Sequence, residues 1–382
     1  MWHDYPVTQE LIVGLNAIDS ARSEHTFKLA HHSPTAHGML RIAVTLENDL
    51  VTSASPILGS MHRGAEKLFE SRDYRQILML ANRHEWLCAF SGEVGLAELI
   101  EKALGLEVPE AAKWLRTLML EINRITAHLA FVAGFAHFND KQVHQVRALR
   151  EEWIEHVQLY TGSRMHPMLT RIGGMTHAPT TAWLENLEKM VATSQETLQN
   201  FRTETSELLA ALQGVGRLTA DEAQSLALSG PVARASGYSI DLRESSNQQK
   251  YSELASWRVV THTQGDVASR MVQLLDELEL SCHMVHELMS ICSQHVSSDV
   301  NVLLPKVLRV PEGAYEHSIE TPLGIASWFM VSRNDKMPYK LKLRPASLHT
   351  VLAVPEVLRN AQVEHLAPII TSMPFIAGDV DR

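Results

Sequence analysis

Residues 58–93, LGSMHRGAEKLFESRDYRQILMLANRHEWLCAFSGE, decide the fold, because the spacing of apolar residues changes within them from two to near 3.6. On a continuous helix over 79–104, Arg83, Trp86 and Phe90 share one face and Glu85 and Cys88 another. A guanidinium, an indole, a carboxylate and a thiol then lie within three turns. Spacing alone is met by an Arg83–Glu85 ion pair on a half-exposed face with Cys88 as a small core residue; a reactive face is the alternative.

Upstream of this stretch the period is two. Residues 25–31 and 39–47 alternate apolar and polar positions and read as strands, with a third over 50–56. HSPTAHG, residues 32–38, connects the first two and displays His37 in a loop, where an imidazole suits proton delivery. Downstream, helices are predicted over 65–72, 79–104, 110–138, 141–160, 181–213, 219–227 and 266–297. Strands return over 314–319, 326–331 and 339–343, before a short helix near 366–372. The expectation is an α+β fold with three parts: a β-rich segment over 1–58, a helical bundle over 59–305, and a β-rich segment with a terminal tail over 306–382.

Several polar groups interrupt the apolar pattern. Glu121, Arg124 and His128 run beside the stripe Leu118, Ile122, Ile125 and Leu129, and read as a solvated face. YTGSRMHPMLTRIGGMTHA, residues 160–178, forms a turn-rich crossing that presents Arg164, His166 and Arg171, suited either to an anionic group or to anchoring the loop through carbonyls. In GPVARASGYSIDLR, residues 230–243, Arg234 and Asp241 are possible partners. Cys282, His283, His286, Cys292 and His295 include one i, i+4 pair, but no second ligand pair accompanies it, so surface histidines with buried thiols are the simpler reading.

Composition narrows the classes. A net charge of −10 with no basic cluster argues against nucleic-acid binding. Three cysteines without a CxxC pair argue against a cysteine-ligated cluster within this chain. No apolar run reaches membrane-spanning length and the N-terminus lacks signal-peptide order, so a cytoplasmic location is expected.

Taken together, SPTAHGMLRI, MHRGAEKLFE, NRHEWL, EINRITAHL, TGSRMHP with RIGG, RASGYSIDLR, GDVASRM, MPYKLKLR and GDVDR occur in an order that resembles the D-type large catalytic component of respiratory complex I, NADH:quinone oxidoreductase. That family is related to the large subunits of nickel–iron hydrogenases, whose fold the resemblance implies. It also implies that the chain binds no metal itself. The resemblance further implies a [4Fe–4S] cluster in an adjacent small subunit and quinone as the substrate in the cavity between the two. It implies, at matching positions, that His37 contacts the quinone headgroup, that Arg83 lies beside the cluster, and that His166 is protonated when the cluster is reduced. The implied partners are the cluster-bearing small subunit, a protein like the C-type component of the complex, and a membrane-embedded quinone-channel protein, at the cytoplasmic face of the cell membrane.

The chain departs from the family pattern at the acceptor. Trp86 stands where the family has the second catalytic residue, a quinone-binding tyrosine; its indole donates a hydrogen bond but yields no proton near neutral pH. Phe138 replaces the aspartate that supports His37, and Ser33 replaces a loop histidine, with His32 displaced by one position. The four nickel-ligand positions of the hydrogenases hold Glu85, Cys88, Ile376 and Asp379. These departures leave two alternatives open: a non-catalytic homologue that keeps the partner interfaces, or a related complex with another acceptor.

Overall fold

The computed structural model describes residues 8–14, 25–29, 33–36, 39–246 and 248–382. The first sheet contains β1 (Thr8–Gly14), β2 (His25–Lys28), β3 (Arg41–Glu47) and β4 (Leu50–Ile57) in the order β2-β1-β3-β4. β1 was not expected from the alternation of residues. It lies between the two strands expected first, parallel to β2 and antiparallel to β3.

The expected helix over 79–104 is two helices, because the chain breaks at Glu85–Cys88. α1 (Ala65–Glu70) and α2 (Ile77–His84) precede the break, and α3 (Ala89–Leu104) follows it. Glu85 leaves helical geometry at φ −98°, ψ 73°. Gly92 allows α3 to press against α2: a Cβ there would lie 2.8 Å from the Ala81 carbonyl oxygen. α3 ends at Gly105 with φ 62°, the left-handed closure glycine permits.

α4 (Glu110–Ala133) stops at Gly134 rather than continuing to 138. An Asn139–Gln142 capping box then opens α5 (Asp140–Thr161). The crossing segment forms a two-stranded β5 (Thr170–Arg171) and β6 (Gly174–Met175), and leads into α6 (Thr181–Ala210). α7 (Ala220–Ser225) and α8 (Gly230–Ala235) precede α9 (Val267–Ser293). α4, α5, α6 and α9 pack around Leu118, Ile122, Trp153, Leu187, Leu274 and Leu278, the main core.

β7 (Gly313–Thr321), β8 (Gly324–Ser332) and β9 (Lys340–Arg344) form an antiparallel meander. It covers α1–α3 through a second core, where Phe69 meets Trp328 edge-on at 5.6 Å. Gly95 lets α3 approach the sheet, since a Cβ would lie 2.8 Å from Ile319 Cγ2. α10 (Ser347–Leu352), α11 (Val354–Leu358), α12 (Leu366–Thr371) and α13 (Ala377–Val380) complete the chain. The tail returns to the start of the helical region, where the Asp381 carboxylate accepts Gly59 N–H at 2.6 Å and Met61 N–H at 2.7 Å.

Candidate functional site

The break between α2 and α3 sends neighbouring side chains in different directions, so the shared helical faces expected for Arg83, Glu85, Trp86 and Cys88 do not form. Arg83 is exposed at the end of α2; its Nη1 donates to the Met79 carbonyl at 3.1 Å and lies 3.6 Å from Met168 Sδ. Glu85 is 3% exposed and, among the described residues, neither of its carboxylate oxygens has a hydrogen-bond partner. The expected Arg83–Glu85 ion pair is therefore replaced by separate environments. Cys88 is a core residue, as expected of a small apolar side chain, and burial together with the Glu85 and Asp379 carboxylates pushes its thiol well above the usual range.

Glu85 and Asp379 interact across the core. Burial raises both carboxyls, Glu85 to about 8, and the charge of Glu85 raises Asp379 further. Asp379 Oδ2 accepts the Ser347 hydroxyl at 3.3 Å, and its backbone carbonyl lies 3.0 Å from His84 Nε2. His84 is buried too, which pushes it down to about 4.

The crossing segment brings His166 to Arg83. His166 is half-buried, and among the described residues its Nδ1 has no hydrogen-bond partner. Burial and the Arg83 charge lower its pKa, against the pull of the Asn82 carbonyl. Its position is fixed by a residue that spacing arguments missed: Glu93, buried on α3, accepts Met168 N–H at 2.7 Å and Thr170 N–H at 3.0 Å and also holds the Asn82 amide. The same segment is tied lower on α3 and α4, where Glu101 accepts both ends of the Arg116 guanidinium at 2.6 and 2.8 Å and Gly173 N–H at 2.7 Å. The only legible signal for Glu93 and Glu101 was a carboxylate on an otherwise apolar helical face.

Trp86 is half-buried and lines a cleft with Phe90, Met119, Ile122, Arg150 and Arg164. Arg164 pairs with Glu151, and Arg150 Nε donates to the Thr126 carbonyl at 2.9 Å. Arg171 anchors the loop through the Met168 and Thr170 carbonyls, at 3.1 and 3.0 Å. Phe138 lies in a ring cluster, 4.9 Å from Phe135 and 5.0 Å from Phe201. His37 and His32 lie outside the described residues. Ser33 is buried against the end of α4, where a Cβ on Gly134 would come within 3.0 Å of its Cα.

The line Glu121, Arg124 and His128, expected on a solvated face, is buried. Arg243 reaches both Glu121, at 3.3 Å, and Asp241, at 2.8 Å. Arg234 pairs with Asp241 at 3.3 Å, and with Glu277 and Glu320 at 2.8 Å each. Partners from distant segments turn what looked like surface charge into an interior network. Cys282 and Cys292 are buried with thiols pushed up to about 12, while His283 and His286 are exposed. No group of three potential metal ligands occurs among the described residues.

The family model described as "Respiratory-chain NADH dehydrogenase, 49 Kd subunit" matches residues 142–382, from α5 through the terminal tail. The chain belongs to this family. It is 38% identical to the D 1 subunit of the NADH-quinone oxidoreductase of Streptomyces coelicolor, over 98% of this chain and 99% of the relative. The D 2 subunit of the Salinispora tropica NADH-quinone oxidoreductase is also 38% identical, over 98% and 97% of the two chains. The D subunit from Clostridium beijerinckii is 28% identical over 94% and 97%. These alignments extend the likeness across the α2–α3 break, which precedes the family match. As a 49 Kd family member, the chain is a component of an oxidoreductase complex. Among the described residues no helix is long and apolar enough to cross a membrane.

Proposed function

We propose that this chain forms, with a partner protein that holds a [4Fe–4S] cluster, the cavity in which electrons pass to a quinone. The observation that carries this reading is the meeting of Arg83 and His166 beside the cleft of Trp86. An exposed guanidinium next to a half-buried imidazole suits the edge of a negatively charged cluster held by a neighbour. Such a cluster, when bound, supplies electrons one at a time. Burial and Arg83 favour neutral His166, which is thus poised to take a proton when negative charge grows nearby. Trp86 carries no proton that it can transfer near neutral pH. By resemblance, His37 contacts the headgroup.

The names of the relatives support quinone as acceptor and a multi-subunit assembly. The partners in this reading are the cluster-bearing small subunit, a protein like the C-type component of complex I, and a membrane-embedded quinone-channel protein, with this chain peripheral at the cytoplasmic face. A second reading, a non-catalytic homologue that retains its partner contacts, is favoured by Phe138, whose ring packing puts an apolar group where the family has a carboxylate.

The test is to purify the chain with its partners, reduce the cluster, and follow its paramagnetic signal on adding quinone. Reoxidation supports the proposal. A signal that persists, together with a headgroup-site inhibitor that neither binds nor shifts it, overturns the proposal in favour of the second reading.

A further inference from the structure

The cleft that Trp86 lines holds a positive charge that the chain leaves unanswered. Its walls are apolar at Phe90, Met119, Ile122, Ile154 and Val157. Among its described lining residues the ionisable side chains are Arg150 and Arg164, with no carboxylate beside them. Arg164 finds its counterion outside the lining, in Glu151 at 2.5 Å.

Arg150 has no such counterion. Among the described residues it makes one hydrogen bond, from Nε to the Thr126 carbonyl at 2.9 Å, and no ion pair. That bond crosses from α5 to α4 and fixes the guanidinium at the cleft. Nη1 and Nη2 have no partner and are not sealed off by neighbouring atoms, so this edge of the fork is open to a ligand.

Elsewhere in the interior the chain compensates its guanidinium groups. Arg116 meets Glu101, Arg124 meets Glu121, and Arg234 and Arg243 each meet more than one carboxylate. Arg150 is half-buried without one. Burial, together with the charges of Arg164 and Arg147, lowers its pKa, and Glu151 acts against them. A cation held this way is relieved by an anion that enters the cleft. The two free N–H edges of Nη1 and Nη2 match two neighbouring acceptor oxygens that carry negative charge.

We propose that Arg150 sets the specificity of this cleft, selecting an anionic acceptor, a 2-hydroxy-1,4-quinone, over neutral quinones of the same shape. Such a quinone is ionised at neutral pH and sets an oxyanion beside a ring carbonyl, the pair of oxygens that the open edge of Arg150 fits. The ring itself lies against the apolar walls. Resting on the quinone reading, this selection narrows its acceptor class. Trp86 gives no proton near neutral pH; Arg150 holds the acceptor by charge instead.

The experiment measures binding to the full chain at neutral pH by equilibrium dialysis. Its two probes have nearly the same shape: 2-hydroxy-1,4-naphthoquinone, which is ionised, and 2-methoxy-1,4-naphthoquinone, which is neutral. The parent chain should bind the ionised probe more tightly by about tenfold or more, the size of one hydrogen bond to a charged group. Arg150→Gln should abolish this preference and leave the neutral probe binding as before. Arg150→Lys, which keeps the charge and loses the fork, should retain part of it. Circular dichroism checks that each variant is folded, and the preference of the parent is read without any variant. Equal affinity of the parent for the two probes, binding of neither, or a preference that survives in folded Arg150→Gln overturns the proposal. Mixing the ionised probe with the assembled complex separates this from the quinone reading: a probe that binds through Arg150 and leaves the cluster reduced sinks the quinone reading alone.

Discussion

Glu93 accepts the backbone N–H of Met168 at 2.7 Å, so a carboxylate on α3 sets the position of His166 two residues away. The Thr170 amide depends on the same group. Glu93→Ala should leave these donors without their acceptor, at about 1–3 kcal/mol for each one that stays dry. Urea denaturation should show the loss. Limited proteolysis should cut the variant within 163–171 before the rest of the chain, whereas Glu93→Gln, which keeps one acceptor oxygen, should fall between the two. Equal protection of this segment in all three proteins would show that Glu93 does not hold it.

The buried pair Glu85 and Asp379 makes stability depend on pH. Glu85 rises from 4.5 to about 8 on folding, so the folded state holds a proton that the unfolded state releases. Its favourable contribution is complete below pH 4.5 and is lost as pH rises through about 8. Asp379 shifts in the same direction. Glu85→Gln replaces the carboxyl with a neutral group of similar shape, and should flatten this dependence. The variant should be the more stable protein above pH 8 by about 1–5 kcal/mol, the upper figure corresponding to the full shift. Denaturation midpoints that fall in parallel from pH 5 to 9 would contradict the assignment.

Arg83 and burial both hold His166 in its neutral form. Arg83→Gln removes the charge and leaves the burial, so the His166 pKa should rise. The imidazole proton resonance of the full chain, titrated from pH 4 to 8 with His166→Gln as the assignment control, reports the shift directly. The measurement needs no partner or electron acceptor. An unchanged His166 titration would mean that the two side chains do not sense each other.

The outline of the fold was legible where one period ran unbroken. The helices over 110–133 and 181–210 and the meander of β7–β9 follow the residues whose spacing predicted them. The break at Glu85 was hidden because Leu78, Ala81, Leu87 and Phe90 keep apolar residues coming on both sides of it. Interior charges were misread for another reason. Spacing detects only neighbours on the same helix, whereas Arg243 reaches Glu121 122 positions away and Arg234 reaches Glu320 86 positions away. Family resemblance singled out Arg83 and His166 one by one; that they meet was hidden from the period, since it depends on Glu93 clamping a loop far along the chain.

Trp86 provides the sharpest test of the proposed electron acceptor site. An indole N–H can hydrogen-bond a quinone oxygen, but reduction to quinol also requires protons, and Trp86 has none to give near neutral pH. Trp86→Tyr adds a phenolic donor in a half-buried position at the cleft, where the smaller ring introduces no clash. In the assembled complex, the variant should reoxidise the reduced cluster with quinone at least as fast as the parent, and faster if proton delivery limits the parent. Trp86→Phe removes the hydrogen bond without adding a proton, and should be the slowest of the three. Indistinguishable rates, measured by the decay of the paramagnetic signal after rapid mixing, would place the acceptor away from residue 86 and remove the main reason for reading this cleft as its site.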